Sequence, residues 1–553
     1  HRRFFNVTGL IGMRVEEQSV FDAMHRKVVE FARAGLIHGV RVDHVDGLVD
    51  PGGYLERLRD ALGVAPIWIE KILTRDETLP DWPVVGTTGY EAARKLTQLL
   101  TDGLGQAQIV EDWRTATGRD ESFHDVLMAA KAEVMQNELA AELHQLIALS
   151  EAALEAEGAL HGPEAVREAV LALLSAVPRY RTYFLGRQGS DEDRALFDAV
   201  RVEAGETVRI PATIDAIHSL IADPTNANAV ALQARFQQVT GALLAKAHED
   251  TAGFRWNAYL ASNEVGAEPD EATITVEGFG AWLSTQGALG LTLTSSHDTK
   301  RSEDARMRLA AISHLPEAFG TLWLGAQALP EAEAADANMC WFAVQSALAI
   351  WQPDAPDTAD RLTDHLSKAV REGKELSNWT VPDLEAEAAL HAFAAALVRD
   401  WQRETPGALN ALVARGARLS LVQTALKMVM PGVPDIYGEA VGEHLALTDP
   451  DNRRPVTPEA LDGLAKAPGF TGQKARLTEQ LLAMRLAYPG FFSAANCACE
   501  EVDGVVTLRR SFEGADLVLT FRRDGGDLSP EVAWRDDVSA VPLPVGVRWG
   551  ETG

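Results

Sequence analysis

Two short runs of β-branched residues, each ending on charge, constrain this chain more than any other feature. They are Gly39-Val40-Arg41-Val42-Asp43-His44 and Pro66-Ile67-Trp68-Ile69-Glu70. A helical pattern precedes the first. Residues 19–34 place Val20, Met24, Val28 and Phe31 on one face, with Ser19 as cap and Gly35 as stop. A second helical pattern, Tyr54 to Leu62, lies between the runs and closes on Gly63. Helix–strand–helix–strand order predicts a parallel sheet or barrel, because parallel neighbours need a crossover long enough for a helix.

With 553 residues there is room for three or four domains of roughly 150 residues each. Residues 1–90 read as the first part of a barrel. Residues 91–285 are rich in Ala, Leu and Glu at helical spacing, as at Met135, Leu139, Leu143 and Leu146, and read as a helical insertion. Residues 286–484 return to the barrel. There Leu289 to Thr294 reads as a strand running into Ser295-Ser296-His297-Asp298, 303–428 as a further helical insertion, and Met428 to Gly432 as one more strand. Barrel strands are thus expected near Val40, Ile67, Val84, Leu291 and Val429. In residues 485–553, Val505 to Leu508 and Leu517 to Phe521 read as strands, with Gly514 and Asp524-Gly525 as turns. The expected fold is α/β, a (β/α)8 barrel with large helical insertions and a C-terminal β-sandwich.

Charge narrows the partners. Lys and Arg number 51 against 80 Asp and Glu, a net −29. Such a surface repels phosphate, which argues against nucleic acid and anionic membranes and leaves a neutral substrate open. The longest apolar run, Met339 to Trp351, is interrupted by Gln345 and is too short to span a bilayer. The opening residues do not read as a signal peptide, and none is expected. Cys340, Cys497 and Cys499 form no C-x-x-C and have no His cluster beside them, so they are expected to be inert thiols in a reducing, cytoplasmic setting. The start, His1-Arg2-Arg3-Phe4-Phe5, has no initiator Met, and an upstream segment is expected.

The strand ends carry the chemistry. Alternation along a strand sends Arg41 and Asp43 the same way, so the guanidinium can keep the carboxylate ionised and oriented. Trp68 and Glu70 share a face, while Ile67 and Ile69 point to the surrounding helices. A carboxyl beside an indole is partly desolvated, which suits a general acid. Asp298, with His297 beside it, ends a third strand. Two carboxyls about 5 Å apart define a retaining glycosidase. Taken singly, each has a blander reading: a structural Arg-x-Asp pair, a solvated Glu70-Lys71 strand end, a His297-Asp298 helix cap. A metal at Asp43, His44, His297 and Asp298 lacks compact ligand spacing. No metal and no cofactor are expected.

Gly39 to His44, Trp68-Ile69-Glu70-Lys71, Ser296-His297-Asp298 and Pro431-Gly432-Val433-Pro434-Asp435-Ile436-Tyr437-Gly438 resemble the conserved regions of the α-amylase superfamily, glycoside hydrolase family 13. Further stretches resemble the branch of that family that forms maltooligosyl trehalose. These are Arg2-Arg3-Phe4-Phe5, Asp46-Gly47-Leu48, Glu70-Lys71-Ile72-Leu73, Gly86-Thr87-Thr88-Gly89-Tyr90, Glu249-Asp250-Thr251, His297 to Asp304, and Asp449-Pro450-Asp451-Asn452-Arg453-Arg454-Pro455. The resemblance covers nearly the whole chain to about residue 490.

The resemblance implies intramolecular transglucosylation: the reducing-end α-1,4 bond of a maltooligosaccharide or starch-derived glucan becomes an α,α-1,1 bond. It implies Asp43 as nucleophile, Glu70 as acid/base and Asp298 as stabiliser of the transition state. Arg41 would orient Asp43, and His297 would bond the same sugar. His44, Lys300, Trp256, Phe4 and Phe5 join the substrate-binding candidates, Lys300 and the two phenylalanines around the released glucose. The family's first three strands, with an Asp and an Asn-His segment, lie ahead of its Arg-Arg-Phe-Phe motif and are not in this chain, which then carries about the fourth strand onward. Gly438-Glu439-Ala440-Val441-Gly442-Glu443 departs from the family's loop, so no role is carried onto it. Two alternatives stay open: an α-1,4-glucan hydrolase on the same fold, and a non-catalytic glycan-binding member.

Overall fold

The computed structural model describes residues 2–4, 7–536, 538 and 541–551, of which 2–4, 7–10 and 551 are described by backbone alone. The chain forms two compact units, His1–Val85 with Ser122–Ala252, and Gly86–Glu121 with Gly253–Gly553. The helical stretch expected as one insertion over 91–285 is divided between them.

In the first unit an antiparallel hairpin, Arg2–Phe4 with Val7–Gly12, precedes the helix Gln18–Arg33. That helix starts one residue before Ser19, and its N-cap, Glu17, makes no side-chain cap bond. Ser19 is therefore inside the first turn and is not the cap. Gly35 ends the segment at φ 69°, as the sequence predicts.

The strand Val40–Val42 pairs in parallel with Ile67–Ile69, in the register Val40↔Ile67, Arg41↔Trp68, Val42↔Ile69. The crossover helix begins at Pro51, three residues before the expected Tyr54, because Pro presets the first helical φ and Asp50 caps Gly53 N–H at 2.9 Å. Ile67 and Ile69 are fully buried against Leu55, Leu58 and Phe21, so the strand's apolar face is the one that meets the helices. Six helices from Phe123 to Leu244 complete the unit.

In the second unit the short strand Leu291–Thr292 pairs in parallel with Val433–Pro434. The strand expected over Met428 to Gly432 is instead the end of the helix Gly407–Val429, and the extended pair follows it. A continuously apolar segment does not distinguish a buried helix from a buried strand. Likewise the strand expected near Val84 is found at Gly86–Thr87. Glycine is required here: a Cβ on Gly86 would lie 2.6 Å from the Cα of Gly290, and one on Gly89 2.2 Å from the carbonyl oxygen of Leu291.

The C-terminal strands, Asn496–Val502, Val505–Phe512, Ala515–Phe521 and Val545–Glu551, form one antiparallel sheet among the described residues. Val506, Leu508, Leu517, Leu519 and Phe521 line its buried face. The facing layer is helical: Arg510 donates to the carbonyl of Val429 at 3.2 Å, and Gly280 lies against Cys499. All three cysteines are unpaired, and Cys340 is buried.

Candidate active site

At the end of the first parallel pair, Arg41 Nη2 meets Asp43 Oδ1 at 3.3 Å, the ion pair that strand alternation predicts. Its groups are 45% and 66% exposed, so the pair orients more than it stabilises. Glu70 N–H donates to the Val42 carbonyl at 2.7 Å, which carries the ladder one residue past the strand. His44 N–H donates to Glu70 Oε2, also at 2.7 Å. That bond needs the chain to turn sharply after Asp43, and His44 takes the left-handed conformation, φ 53° and ψ 47°. Gly47 leaves room for its imidazole: a Cβ there would lie 2.6 Å from His44 Cδ2 and Nε2.

Beneath this turn is a buried layer that the sequence pattern did not reveal. Lys71 is fully buried, with Nζ 2.7 Å from Glu77 Oε1 and 3.5 Å from Asp46 Oδ2. Burial pulls its ammonium down, but Asp46, Tyr183 and Glu77 outweigh that and hold it well above the usual lysine value. Tyr183 donates to Asp46 Oδ1 at 2.6 Å, and Arg181 Nη1 donates to the carbonyls of Asp46 and Leu48 at 2.8 and 2.6 Å. Tyr180 donates to Glu249. Its hydroxyl is pushed well above the usual range by burial, with Glu249, Glu70 and Asp46 adding to the shift. Glu249-Asp250-Thr251 was visible as a motif; its contact with Tyr180 is a long-range one.

In the second unit, the loop Ser296–Thr299 follows the strand Leu291–Thr292. His297 Nε2 lies 3.1 Å from Asp298 Oδ2, and Arg453 Nη2 lies 3.4 Å from Asp298 Oδ1. Asn452 donates to the carbonyls of His297 and Thr299 at 3.0 and 2.9 Å. Tyr437 donates to the Asn452 carbonyl at 3.0 Å, and Tyr90 shares a hydrogen bond with Ser296 at 3.0 Å. Four separated motifs therefore meet at this loop. Behind it, Lys474 Nζ bonds Glu303 at 2.7 Å and Asp304 at 2.8 Å, and Lys427 Nζ bonds Glu303 at 2.9 Å, all buried.

Lys300 and Trp256 lie inside the protein, each 4% exposed. Lys300 Nζ donates to Asn263 Oδ1 at 3.2 Å and the Gly253 carbonyl at 3.3 Å, over the Phe254 ring. Trp256 packs 5.7 Å from Trp113. These contacts fix the loop from within rather than present either side chain on an open surface. The Phe4 side chain and Phe5 lie outside the described residues. Among the described residues no three His, Cys, Asp or Glu side chains gather as a metal cluster would. No helix there is long and apolar enough to cross a membrane.

No protein-family model matches the chain. It is 33% identical to a Mycobacterium tuberculosis protein named as a candidate maltooligosyl trehalose synthase, over 99% of this chain and 70% of that one. The maltooligosyltrehalose synthase structure from Arthrobacter ramosus superposes with a TM-score of 0.83 at 27% identity, over 100% of this chain and 75% of that one. A Sulfolobus tokodaii structure described as a hypothetical maltooligosyl trehalose synthase gives 0.79 at 25%, over 100% and 73%. The fold is accordingly the (β/α)8 type of glycoside hydrolase family 13, with helical insertions and a C-terminal sheet domain. Similarity sustained along the whole chain, at both the sequence and the structural level, places it in the maltooligosyl trehalose synthase family.

Proposed function

We infer that the chain isomerises maltooligosaccharides, turning the reducing-end α-1,4 bond into an α,α-1,1 bond, by a retaining double displacement. The observation that carries the mechanism is the register Val42↔Ile69, which sets Asp43 and Glu70 just past the ends of adjacent parallel strands. Neighbouring strands are about 4.8 Å apart, and retention needs carboxyls about 5 Å apart.

In this reading Asp43 attacks the anomeric carbon of the penultimate sugar while Glu70 protonates the departing O4 of the reducing-end glucose. That glucose stays bound and turns. Glu70 then takes the proton from its anomeric hydroxyl, which attacks the same carbon and displaces Asp43. Two inversions retain configuration, and no atom is gained or lost. Asp298 accepts hydroxyl bonds of the sugar being transferred and follows its rising positive charge. Arg41 orients Asp43, and His44 and His297 border the sugar. Lys300 and Trp256 act through the loops they brace. The three unpaired thiols support a reducing, cytoplasmic setting.

Incubation with maltopentaose tests this. Loss of reducing ends without shorter chains is the expected result. Maltotetraose and glucose with a rise in reducing ends would mean that water intercepts the intermediate and that the chain is a hydrolase.

A further inference from the structure

We propose that Asn452 and Arg453 are positioning residues for Asp298, one setting the backbone of its loop and the other the rotamer of its carboxylate. The proposal rests on the role given to Asp298 above.

The loop holds itself only in part. Ser296 Oγ accepts from the N–H groups of Asp298 and Thr299 at 3.1 and 3.2 Å, and Thr299 Oγ1 donates to the Ser296 carbonyl at 2.9 Å. The carbonyls of His297 and Thr299 still need donors, and Asn452 supplies them. Its Nδ2 reaches the His297 oxygen at 3.0 Å, the Thr299 oxygen at 2.9 Å and the Ser296 oxygen at 3.4 Å. Asn452 is 5% exposed, and its Oδ1 has no partner among the described residues. Three carbonyl neighbours accept only from N–H, so the amide is oriented for donation at the expense of its own acceptor.

The donor is itself held. Asp451 takes Arg361 in a two-pronged pair, Nε and Nη2 each at 2.9 Å, and also accepts from Leu447 N–H at 2.8 Å. Lys368 Nζ donates to the Asp449 carbonyl at 3.0 Å. Arg361 and Lys368 both belong to the helix Thr358–Gly373, so the turn Asp451–Arg453 is pinned to a rigid element.

Arg453 then acts on the carboxylate. Its Nε lies 2.7 Å from Asp449 Oδ1, which aims the guanidinium, and its Nη2 lies 3.4 Å from Asp298 Oδ1. His297 engages the other oxygen at 3.1 Å. Each oxygen keeps a lone pair for a sugar hydroxyl. The carboxylate thus meets the sugar already oriented, and reorganisation during the reaction is small.

The test compares kcat, KM and thermal midpoint on maltopentaose for Arg453→Ala, Arg453→Lys, Asn452→Ala and Asn452→Asp, with Asp298→Asn as reference. Arg453 is 48% exposed, so its variants should fold even if those at Asn452 do not. Arg453→Ala should lower kcat about 10- to 100-fold with KM and midpoint unchanged, the size expected of a misplaced catalytic group. Arg453→Lys should recover part of the loss. Asn452→Asp, isosteric but unable to donate as a carboxylate, should fall at least as far as Asn452→Ala. Parent kcat in Arg453→Ala beside an inactive Asp298→Asn would overturn the positioning role and leave the reading of Asp298 standing. An active Asp298→Asn would overturn that reading instead. A kcat loss that only follows the melting temperature across all four variants would make the residues structural and sink the proposal.

Discussion

The carboxylate of Glu70 is bonded to the backbone N–H of His44, the residue that follows Asp43. The two groups assigned to acid/base work and nucleophilic attack are therefore tied through main chain as well as through strand pairing. A change at one should be felt at the other.

Asp43→Ala and Glu70→Gln should each cut turnover at least about 100-fold, the lower range for losing a general acid. Both lie at exposed strand ends or keep their shape, so circular dichroism and the melting curve should stay at the parent values. More than a tenth of parent activity in either variant would remove that residue from its role.

Gly47→Ala probes the turn without touching a carboxylate. The new Cβ would sit 2.6 Å from the His44 ring, so the imidazole must move. Overpacking of this kind costs about 1–3 kcal/mol. Steady-state kinetics on maltopentaose should show a drop in kcat/KM larger than the loss of folded protein explains; parent kinetics would mean that the His44 ring has no part in the site.

Lys474→Met should be among the most destabilising single changes. It leaves Asp304 and part of Glu303 as buried charge without a counterion, which costs about 3–5 kcal/mol. The pH dependence has a definite sign. Burial raises the Glu303 carboxyl, but Lys427 and Lys474 outweigh it and hold it well below its ordinary 4.5. Its contribution is present above that value and is lost as pH falls beneath it. Lys474 is held above its ordinary 10.5, so its contribution is present below that and is lost in strong alkali. Urea unfolding of the parent should therefore weaken below pH 4.5, and the variant should show a flatter acid limb. Equal acid limbs would show that the cluster is not the titrating element.

His365 weakens the fold on the same acid side, although it is held neutral rather than charged. Burial first, then Arg301, lowers it from 6.5 to about 3, and neither ring nitrogen has a hydrogen-bond partner among the described residues. Between those values the unfolded chain takes a proton that the folded chain refuses, so stability falls as pH falls. His365→Leu should reduce that slope while changing stability little at pH 7, since an unpartnered polar group is replaced by an apolar one. An unchanged slope would show that His365 does not titrate on unfolding.

The catalytic candidates were legible because strand chemistry is local. Arg41 and Asp43 sit two residues apart, and period-two alternation alone forecasts their ion pair. The fully buried Ile67 and Ile69 follow from the same rule. Motifs without local chemistry were visible only as strings. Nothing in Asp451-Asn452-Arg453 says that its partners lie about 155 residues upstream. The Met428 segment misled because a helix buried all round and a buried strand are both continuously apolar. No sequence pattern marks Lys427 or Lys474 as buried, and only tertiary packing puts carboxylates beside them and beside Lys71 in the interior.

Asn452 grips Ser296, His297 and Thr299 by carbonyl oxygens, atoms that every amino acid carries. The side chains of His297 and Asp298 can therefore be exchanged without loosening the grip. A lineage, or a designer, is free to vary the side chains on this loop while its path through space is inherited unchanged, so new surface chemistry can be explored here without first rebuilding the scaffold.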